Sequence, residues 1–368
     1  LLFDGIPPGV PALQSVAIRS GLFLVRCLRI RTEEDRIAKA EIWNTLSELF
    51  AATGDSRAGW RCGQRAVRLM RRLVSENRDH LPRLIIALQV QAKRCSEVGD
   101  HTRAIQLAED AASRALAAAK DLPSLRRHVG ALDVLAQRLS MSGDDVAALA
   151  ESFKAFALLK EAIAKGAPLS ADLAVCELRL ATAYTRRRNF DEALPHAESA
   201  ALALQRFCHE DPNTYANLYL NAVDLVVGAR ASLGMDPSAE HLVGEARAHF
   251  ELLSQRFPLA FLPRLMMYLA RESAALASTA TGELAVQRAK QAAEVARKVS
   301  ELHGDRYAVD EGQIHLHLGH LLAVRGENRI AEQSLHEAIA CFTRTARAAN
   351  QAAESLDEAR NLASSLGE

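Results

Sequence analysis

Aromatic residues are scarce in this chain, at 5% of 368 residues, although hydrophobic residues of all kinds reach 49%. A sheet core is usually rich in β-branched and aromatic side chains. The composition therefore argues against a sheet core and favours closely packed helices built mainly from alanine and leucine. No apolar run reaches the roughly 18 residues that are typical of a membrane-spanning helix, which argues against a transmembrane span.

Net charge is lacking as well, because 45 Lys and Arg residues balance 45 Asp and Glu residues. Nucleic acids and anionic membranes usually attract an excess of basic residues, so neither is predicted as a partner. Two basic turns, Arg126–His128 and Arg186–Arg188, are interpreted as solvated loop charges. The stacking aromatics that accompany nucleic-acid grooves are sparse, and an RNA-binding solenoid stays only as an alternative.

Paired cysteines are missing too. The six cysteines are scattered without a C-x-x-C pair: Cys27, Cys62, Cys95, Cys176, Cys208 and Cys341. This usage is typical of a reducing compartment, so a cytoplasmic location is expected, and Cys95 occupies an apolar repeat position that predicts burial. Cys208 stands beside His209, but no orienting partner for a thiol nucleophile is evident. The chain opens with Leu1 rather than Met, which leads us to expect a portion of a longer protein.

Catalytic motifs are absent. The dipeptide Gly-Lys never occurs, so there is no Walker loop, and neither G-x-S-x-G nor H-E-x-x-H is found. His315, His317 and His320, with His336, come nearest to a metal cluster. A structural zinc site requires four converging ligands, and we interpret them as groove or packing histidines. We predict no enzymatic activity, cofactor or metal. An enzyme whose catalytic residues are positioned by the repeats stays an alternative.

A small residue recurs seven times along the chain at intervals of 44 to 46 residues. The positions are Gly59, Ala104, Ala148, Ala193, Ala239, Ala285 and Ala331, each followed seven residues later by another alanine, at Ala66, Ala111, Ala155, Ala200, Ala246, Ala292 and Ala338. In most copies a glycine stands five residues before the first, as at Gly54, Gly99, Gly143, Gly234 and Gly326. Self-similarity at a fixed period predicts a solenoid, in which each unit buries its apolar face against its neighbours.

Each copy predicts a helical hairpin. In the clearest one, Leu180 and Tyr184 mark an apolar stripe on a first helix, and Phe190, Ala193 and Ala197 mark a stripe on a second helix at 3.6-residue spacing. Small residues at the crossing positions allow the helix backbones to approach closely.

Capping residues and prolines predict where the helices begin. Thr32 can cap an acidic first turn, and Asp236 with Pro237 can start another helix. Prolines expected in the connections between units are Pro82, Pro123, Pro168, Pro212 and Pro263. Pro195 lies inside a second helix, where it predicts a kink.

These features resemble the tetratricopeptide repeat (TPR) family. The matching residues are Trp43, Leu46, Ser47, Phe50, Gly59 and Ala66 in the first copy, Leu180, Ala181, Tyr184, Ala193 and Ala200 in the fourth, and Leu318, Gly319, Leu322, Ala331 and Ala338 in the seventh. The resemblance covers roughly residues 35 to 345. It departs from the usual unit of about 34 residues, because these units run to about 45, and extended units look like those of large bacterial regulatory proteins.

The resemblance implies an all-α fold, a right-handed α-solenoid of about seven TPR-like helix-turn-helix units with terminal capping helices. We expect an N-terminal helix within residues 1–31 that is a cap or part of a truncated preceding repeat, seven repeats within 32–345, and a C-terminal capping helix within 346–368. The first of these is apolar and carries several arginines, so a membrane-surface helix stays an alternative for it.

The resemblance also implies a concave groove lined by the first helices. The predicted groove residues are Asn44, Glu48, Gln89, Lys93, Asp133, Gln137, Arg179, Thr182, Arg186, Asn221, Asp224, Arg271, His317 and His320. Their mixed charges and amides suit a protein or peptide ligand, whereas Glu48 would repel the carboxylate tail that chaperone-binding members clamp. The leading hypothesis is a non-enzymatic binding scaffold. The alternative is the sensor or regulatory arm of a larger signalling or defence protein whose effector or nucleotide-binding domain lies outside this chain. In that alternative the partner is an intramolecular domain of the longer polypeptide.

Overall fold

The computed structural model describes residues 11–235, 241–277, 282–345 and 350–366. These residues form sixteen α-helices and two short 3-10 turns, with no strand among them. The chain divides into two compact units, unit 1 (Leu1–Arg187) and unit 2 (Arg188–Glu368). Within the described ranges, every helix is too short or too polar to cross a membrane. The expected all-α solenoid fold is confirmed.

The helices alternate in the predicted order. Unit 1 contains α1 (Pro11–Cys27), α2 (Glu33–Ala52), α3 (Ser56–Glu76), α4 (Leu81–Glu97), α5 (His101–Ala118), α6 (Leu122–Met141), α7 (Asp145–Ala164) and α8 (Ser170–Arg186). Unit 2 contains α9 (Phe190–Glu210), α10 (Pro212–Ser232), α11 (His241–Arg256), α12 (Pro258–Ala277), α13 (Gly282–His303), α14 (Ala308–Val324), α15 (Asn328–Thr345) and α16 (Asn350–Leu366).

Each even-numbered helix from α2 to α14 is the first helix of a repeat, and the helix after it is the second. Within unit 1, α2 packs on α3, α4 on α5 and α6 on α7; within unit 2, α12 packs on α13 and α14 on α15. The repeated alanines of the second helices are buried wherever they are described, for example Ala104, Ala111 and Ala200. Ala239 lies outside the described residues. The small-residue period therefore reports helix crossings, where backbones approach closely.

In the first three repeats, a Gly-Asp pair explains why the first helix stops and the second one starts. Gly54, Gly99 and Gly143 adopt φ of 86°, 85° and 89°, a left-handed conformation that costs glycine nothing. Asp55 follows the first of them and accepts a hydrogen bond from the backbone N–H of Ala58, and the aspartates after the other two glycines cap α5 and α7 in the same way. One dipeptide thus ends one helix and caps the next.

Other predicted boundaries can be compared directly with the helices. Thr32 caps α2 in a capping box with Asp35, as expected. Pro82, Pro123 and Pro212 stand in the first two positions of their helices, while Pro168 precedes α8.

The prediction for Pro263 is wrong, because that residue lies inside α12. Pro258 begins this helix, and a proline at the first position is compatible with helix geometry. The helix boundary is therefore five residues earlier than the internal proline suggested.

α9 continues past Pro195 from Phe190 to Glu210. Asp236 and Pro237 lie outside the described residues.

The terminal helices pack on their neighbours. α1 packs against α2, where the Leu46 side chain fills the space beside Gly21, and α16 packs against α15. The domain boundaries after residues 31 and 345 stay predictions.

Unit 2 contains a group of three charges in which two arginines pair with one buried carboxylate. Glu272 is 2% exposed; it accepts a hydrogen bond from Arg247 Nη1 at 3.0 Å and forms an ion pair with Arg288 Nε at 3.2 Å. A buried carboxylate is costly unless it is paired, so each arginine stabilises the ionised form. Burial nevertheless raises the pKa of Glu272, with the two arginines opposing that effect.

Candidate functional site

All fourteen predicted groove residues lie on first helices. Asn44 and Glu48 are on α2, Gln89 and Lys93 on α4, Asp133 and Gln137 on α6, Arg179, Thr182 and Arg186 on α8, Asn221 and Asp224 on α10, Arg271 on α12, and His317 and His320 on α14. Five of them line a single cavity in unit 1, and two line a cavity in unit 2. The other seven line neither of these two cavities.

The unit 1 cavity lies along α6 and α8 and has a volume of about 170 Å³. Arg179 Nε lies 3.0 Å from Asp133 Oδ1, an ion pair rather than an aligned hydrogen bond. Gln137 Nε2 donates to Asp133 Oδ2 at 2.8 Å. Arg186 Nη1 donates to the Ser140 side-chain oxygen at 2.8 Å. First helices of adjacent repeats are thus joined by polar contacts across the cavity.

A third arginine, Arg138, was not predicted and also lines this cavity. It is 5% exposed, and its Nη2 donates to Gln137 Oε1 at 3.2 Å. Its Nε has no hydrogen-bond acceptor within the described part of the chain. Burial lowers the pKa of Arg138, and burial raises the pKa of Asp133 while Arg179 opposes it. The cavity lining therefore contains three arginines and one carboxylate, and it carries an excess of positive charge.

Sequence reasoning missed Arg138 for a geometric reason. Successive residues of an α-helix are separated by about 100° around its axis, so Arg138 projects away from the stripe that contains Gln137. It still reaches the cavity because the arginine side chain is long and can bend along an apolar surface. Ser152 of α7, another lining residue, comes from a second helix, and a rule restricted to first helices cannot find it.

The unit 2 cavity lies between α12, α13 and α14 and has a volume of about 430 Å³. Arg271 and His317 line it, together with Asp310 and Gln313 and apolar residues that include Met267, Val309 and Ile314. Burial raises the pKa of Asp310 with Arg271 opposing, and burial lowers the pKa of His317. A neutral imidazole therefore stands in this cavity at neutral pH.

Arg271 also pairs with Asp224 of α10, which links two predicted groove residues. His317 Nε2 lies 3.1 Å from Ser273 Oγ. The first helices α10, α12 and α14 of unit 2 thus share a polar surface at the side of the cavity.

The three histidines of α14 have separate surroundings. His317 contacts Ser273, His320 Nε2 lies 3.1 Å from Glu358 Oε1 of α16, and burial lowers the pKa of His315. Among the described residues, no three His, Cys, Asp or Glu side chains are grouped to hold a metal ion.

Cys208 contacts a histidine that is distant in sequence. Its Sγ lies 3.3 Å from His249 Nε2, whereas the adjacent His209 turns its Nδ1 to the Gln205 carbonyl oxygen at 2.8 Å. Burial raises the pKa of Cys208 to about 11 and lowers the pKa of His249. Both groups are therefore neutral near pH 7, and the thiolate that a cysteine nucleophile requires is disfavoured.

No protein-family model matches the sequence, and no curated protein matches it. Solved structures do match. One is a Signal Transduction ATPase with Numerous Domains (STAND) protein with a tetratricopeptide repeat sensor from Pyrococcus horikoshii, with a TM-score of 0.50 and 12% identity over 95% of this chain. This chain spans 52% of that protein.

Two further structures are similar at lower scores. BtubC (BKLC) from P. vanneervenii has a TM-score of 0.47 and 17% identity over 78% of this chain and 90% of its own. A tetratricopeptide repeat protein from Parabacteroides merdae has a TM-score of 0.43 and 13% identity over 88% of this chain and 98% of its own. The alternating hairpins, the buried small-residue period and the match to the tetratricopeptide repeat sensor protein agree, and this chain has a TPR-like all-α repeat fold.

Proposed function

We propose that this chain is a non-enzymatic scaffold that binds a protein or peptide through the first-helix surfaces of its repeats. The observation that carries the proposal is the unit 1 cavity, whose lining contains Arg138, Arg179 and Arg186 but a single carboxylate, that of Asp133. A lining with excess positive charge suits an acidic group on the ligand, because guanidinium groups form strong charge-assisted hydrogen bonds with carboxylates.

The size of this cavity limits what enters it. Pockets that enclose a whole small-molecule ligand usually measure about 300–1,000 Å³, and this one measures about 170 Å³. It therefore suits one acidic side chain of a longer ligand. The rest of an extended or helical peptide would lie along the neighbouring first helices, where Gln89 and Lys93 of α4 offer further polar contacts.

Selection from a displayed peptide library, followed by fluorescence anisotropy with a selected peptide, tests the proposal. We expect selected peptides to share an Asp or Glu, and the double variant Arg179→Gln, Arg186→Gln to weaken binding at least tenfold. The control is Arg187→Gln, Arg188→Gln, which removes the same charge from exposed positions outside the cavity. Equal weakening in both variants, or selected peptides without acidic residues, would contradict the assignment.

A second candidate is the sensor or regulatory arm of a larger protein. It is favoured by the similarity to the STAND protein, in which the repeats are described as a sensor and this chain spans 52% of the length. Reading the coding sequence on both sides of this stretch tests it. A nucleotide-binding domain in the same frame would support a regulatory arm, and stop codons directly flanking the stretch would count against it.

A further inference from the structure

Unit 1 contains a second cleft, which shares no lining residue with the cavity along α6 and α8. It lies between the second helices α3 and α5, with α4 at its floor, and has a volume of about 500 Å³. We call it the arginine cleft. Its lining residues are Trp60, Gln64, Val67, Arg68, Arg71, Arg72, Gln91, Cys95, Asp100, Arg103 and Leu107.

The charges around the arginine cleft are unequal, with four arginines against one aspartate. Asp100 uses a side-chain oxygen to cap α5, accepting from the backbone N–H of Arg103 at 3.0 Å. Arg71 pairs with Asp110 at 3.2 Å, outside the cleft lining. Arg68 and Arg72 form no ion pair with any residue that the structure describes. Two guanidinium groups on adjacent turns of α3 are therefore available to a ligand.

The floor of the cleft supplies a buried hydrogen-bond donor. Gln91 is 3% exposed, and its Nε2 makes one hydrogen bond, to Cys95 Sγ at 3.7 Å. Sulfur is a weak acceptor, so this amide nitrogen can donate more strongly to an oxygen. Gly63 makes room for the amide, because a Cβ at that position would lie 2.0 Å from Gln91 Oε1. The half-buried Trp60 adds an aromatic ring to the lining.

We propose that the arginine cleft binds a small phosphorylated ligand with a planar group. Guanidinium forks match phosphate oxygens in bidentate geometry, so Arg68, Arg72 and Arg103 would hold the phosphate. Gln91 would donate to it from the floor, and Trp60 offers a stacking face for a planar ring. The cleft volume lies in the range of about 300–1,000 Å³ that encloses whole small ligands, so it suits more than a single phosphate group.

Isothermal titration calorimetry at constant ionic strength tests this site, with ADP, pyrophosphate, adenosine and a hexaglutamate peptide as probes. The full chain is compared with Arg68→Gln, Arg72→Gln. The matched control is Arg57→Gln, Arg61→Gln, which removes the same charge from exposed positions of α3 outside the cleft. Circular dichroism of each variant verifies that it is folded.

We expect ADP to bind with one-to-one stoichiometry and more tightly than pyrophosphate, and adenosine to bind at least tenfold more weakly than ADP. The cleft variant should lose at least tenfold in ADP affinity, and the control less than twofold. Equal losses in both variants would show attraction to a generally basic helix and would overturn the proposal. It would also be overturned if no phosphorylated probe saturated the protein, if hexaglutamate bound more tightly than ADP, or if ADP and pyrophosphate bound equally.

Discussion

Replacing Arg188 with glycine is expected to stabilise the chain by about 0.5–1 kcal/mol, a gain that follows from backbone conformation alone. Arg188 adopts φ of 57°, in the left-handed region, and it is the only non-glycine residue with positive φ among those that the structure describes. Five described turns place a glycine at the equivalent position, including Gly143 and Gly326. The fourth repeat uses arginine where these five turns avoid a steric cost.

The magnitude comes from two opposing effects. A residue with a Cβ pays about 1–2 kcal/mol in the left-handed region, and glycine removes that cost. Glycine also gives the unfolded chain more freedom, which costs about 0.5–1 kcal/mol. The Arg188 side chain is exposed and forms no hydrogen bond or ion pair with a described residue, so its removal forfeits no contact.

Arg187→Gly is the matched control. Arg187 is also exposed and caps α8 with φ of −82°, a conformation open to any residue. Glycine relieves no strain there and only adds freedom to the unfolded chain, so the control should lose about 0.5–1 kcal/mol. Both variants remove one positive charge from adjacent positions, and their stability changes should nevertheless have opposite signs.

Urea unfolding followed by circular dichroism at 222 nm measures both changes. The midpoint concentration should rise for Arg188→Gly and fall for Arg187→Gly, with the slope of the transition unchanged, because a changed slope indicates altered cooperativity. Repeat proteins can unfold in steps, so the comparison uses the transition that the two variants shift. A lower midpoint for Arg188→Gly, or shifts of the same sign, would refute the reasoning.

Three further predictions concern the interior. Gly312→Ala should destabilise the folded chain by about 1–3 kcal/mol, because its Cβ would lie 2.6 Å from the buried Phe342 ring. The control Gly228→Ala has open space around its Cβ and should instead stabilise the chain by up to about 1 kcal/mol. Thermal unfolding of the two variants distinguishes these outcomes. Glu272→Ala should cost about 3–5 kcal/mol in urea unfolding, because the buried Arg288 and the half-buried Arg247 lose their shared carboxylate partner; a loss below 1 kcal/mol would show that their remaining contacts with Gln291 and Glu251 suffice. Burial lowers the pKa of His128, His249, His315 and His317, so the folded state binds fewer protons than the unfolded chain at acidic pH. Stability should therefore fall as pH drops below 6.5. Urea midpoints that do not change between pH 7.5 and 5.5 would contradict this prediction.

The helices and turns followed from local patterns in the chain. The small-residue period marks helix crossings because only a small side chain allows two backbones to approach. Gly54 and Asp55 mark a turn because one tolerates positive φ and the other caps a helix. The prediction failed at Pro263, which lies inside α12. A proline costs a helix about one hydrogen bond, and tertiary packing can offset that loss.

The candidate sites could be predicted less completely from the sequence, since a site depends on which side chains come into contact. The sequence placed Asp133, Gln137 and Arg179 on first helices, and this sufficed to group them, because adjacent repeats repeat the same geometry. It could not find Arg138, whose long side chain reaches the cavity from another direction. It showed only that Cys208 stands beside His209, and it could not predict the contact with His249, 41 residues away.

The amino-acid sequence by itself determined the all-α class, the seven-fold period, the turn chemistry and the helix on which each groove residue lies, because these depend on interactions within about one repeat. Only the tertiary structure decided which charges pair with one another, such as the buried Glu272 with its two arginines. It also decided which charges remain available to a ligand, such as Arg68 and Arg72. The physical reason is that burial and pairing depend on side chains from helices that are separated in sequence and adjacent in space. The sequence period places the helices, but it does not state which side chains of one helix contact those of the next.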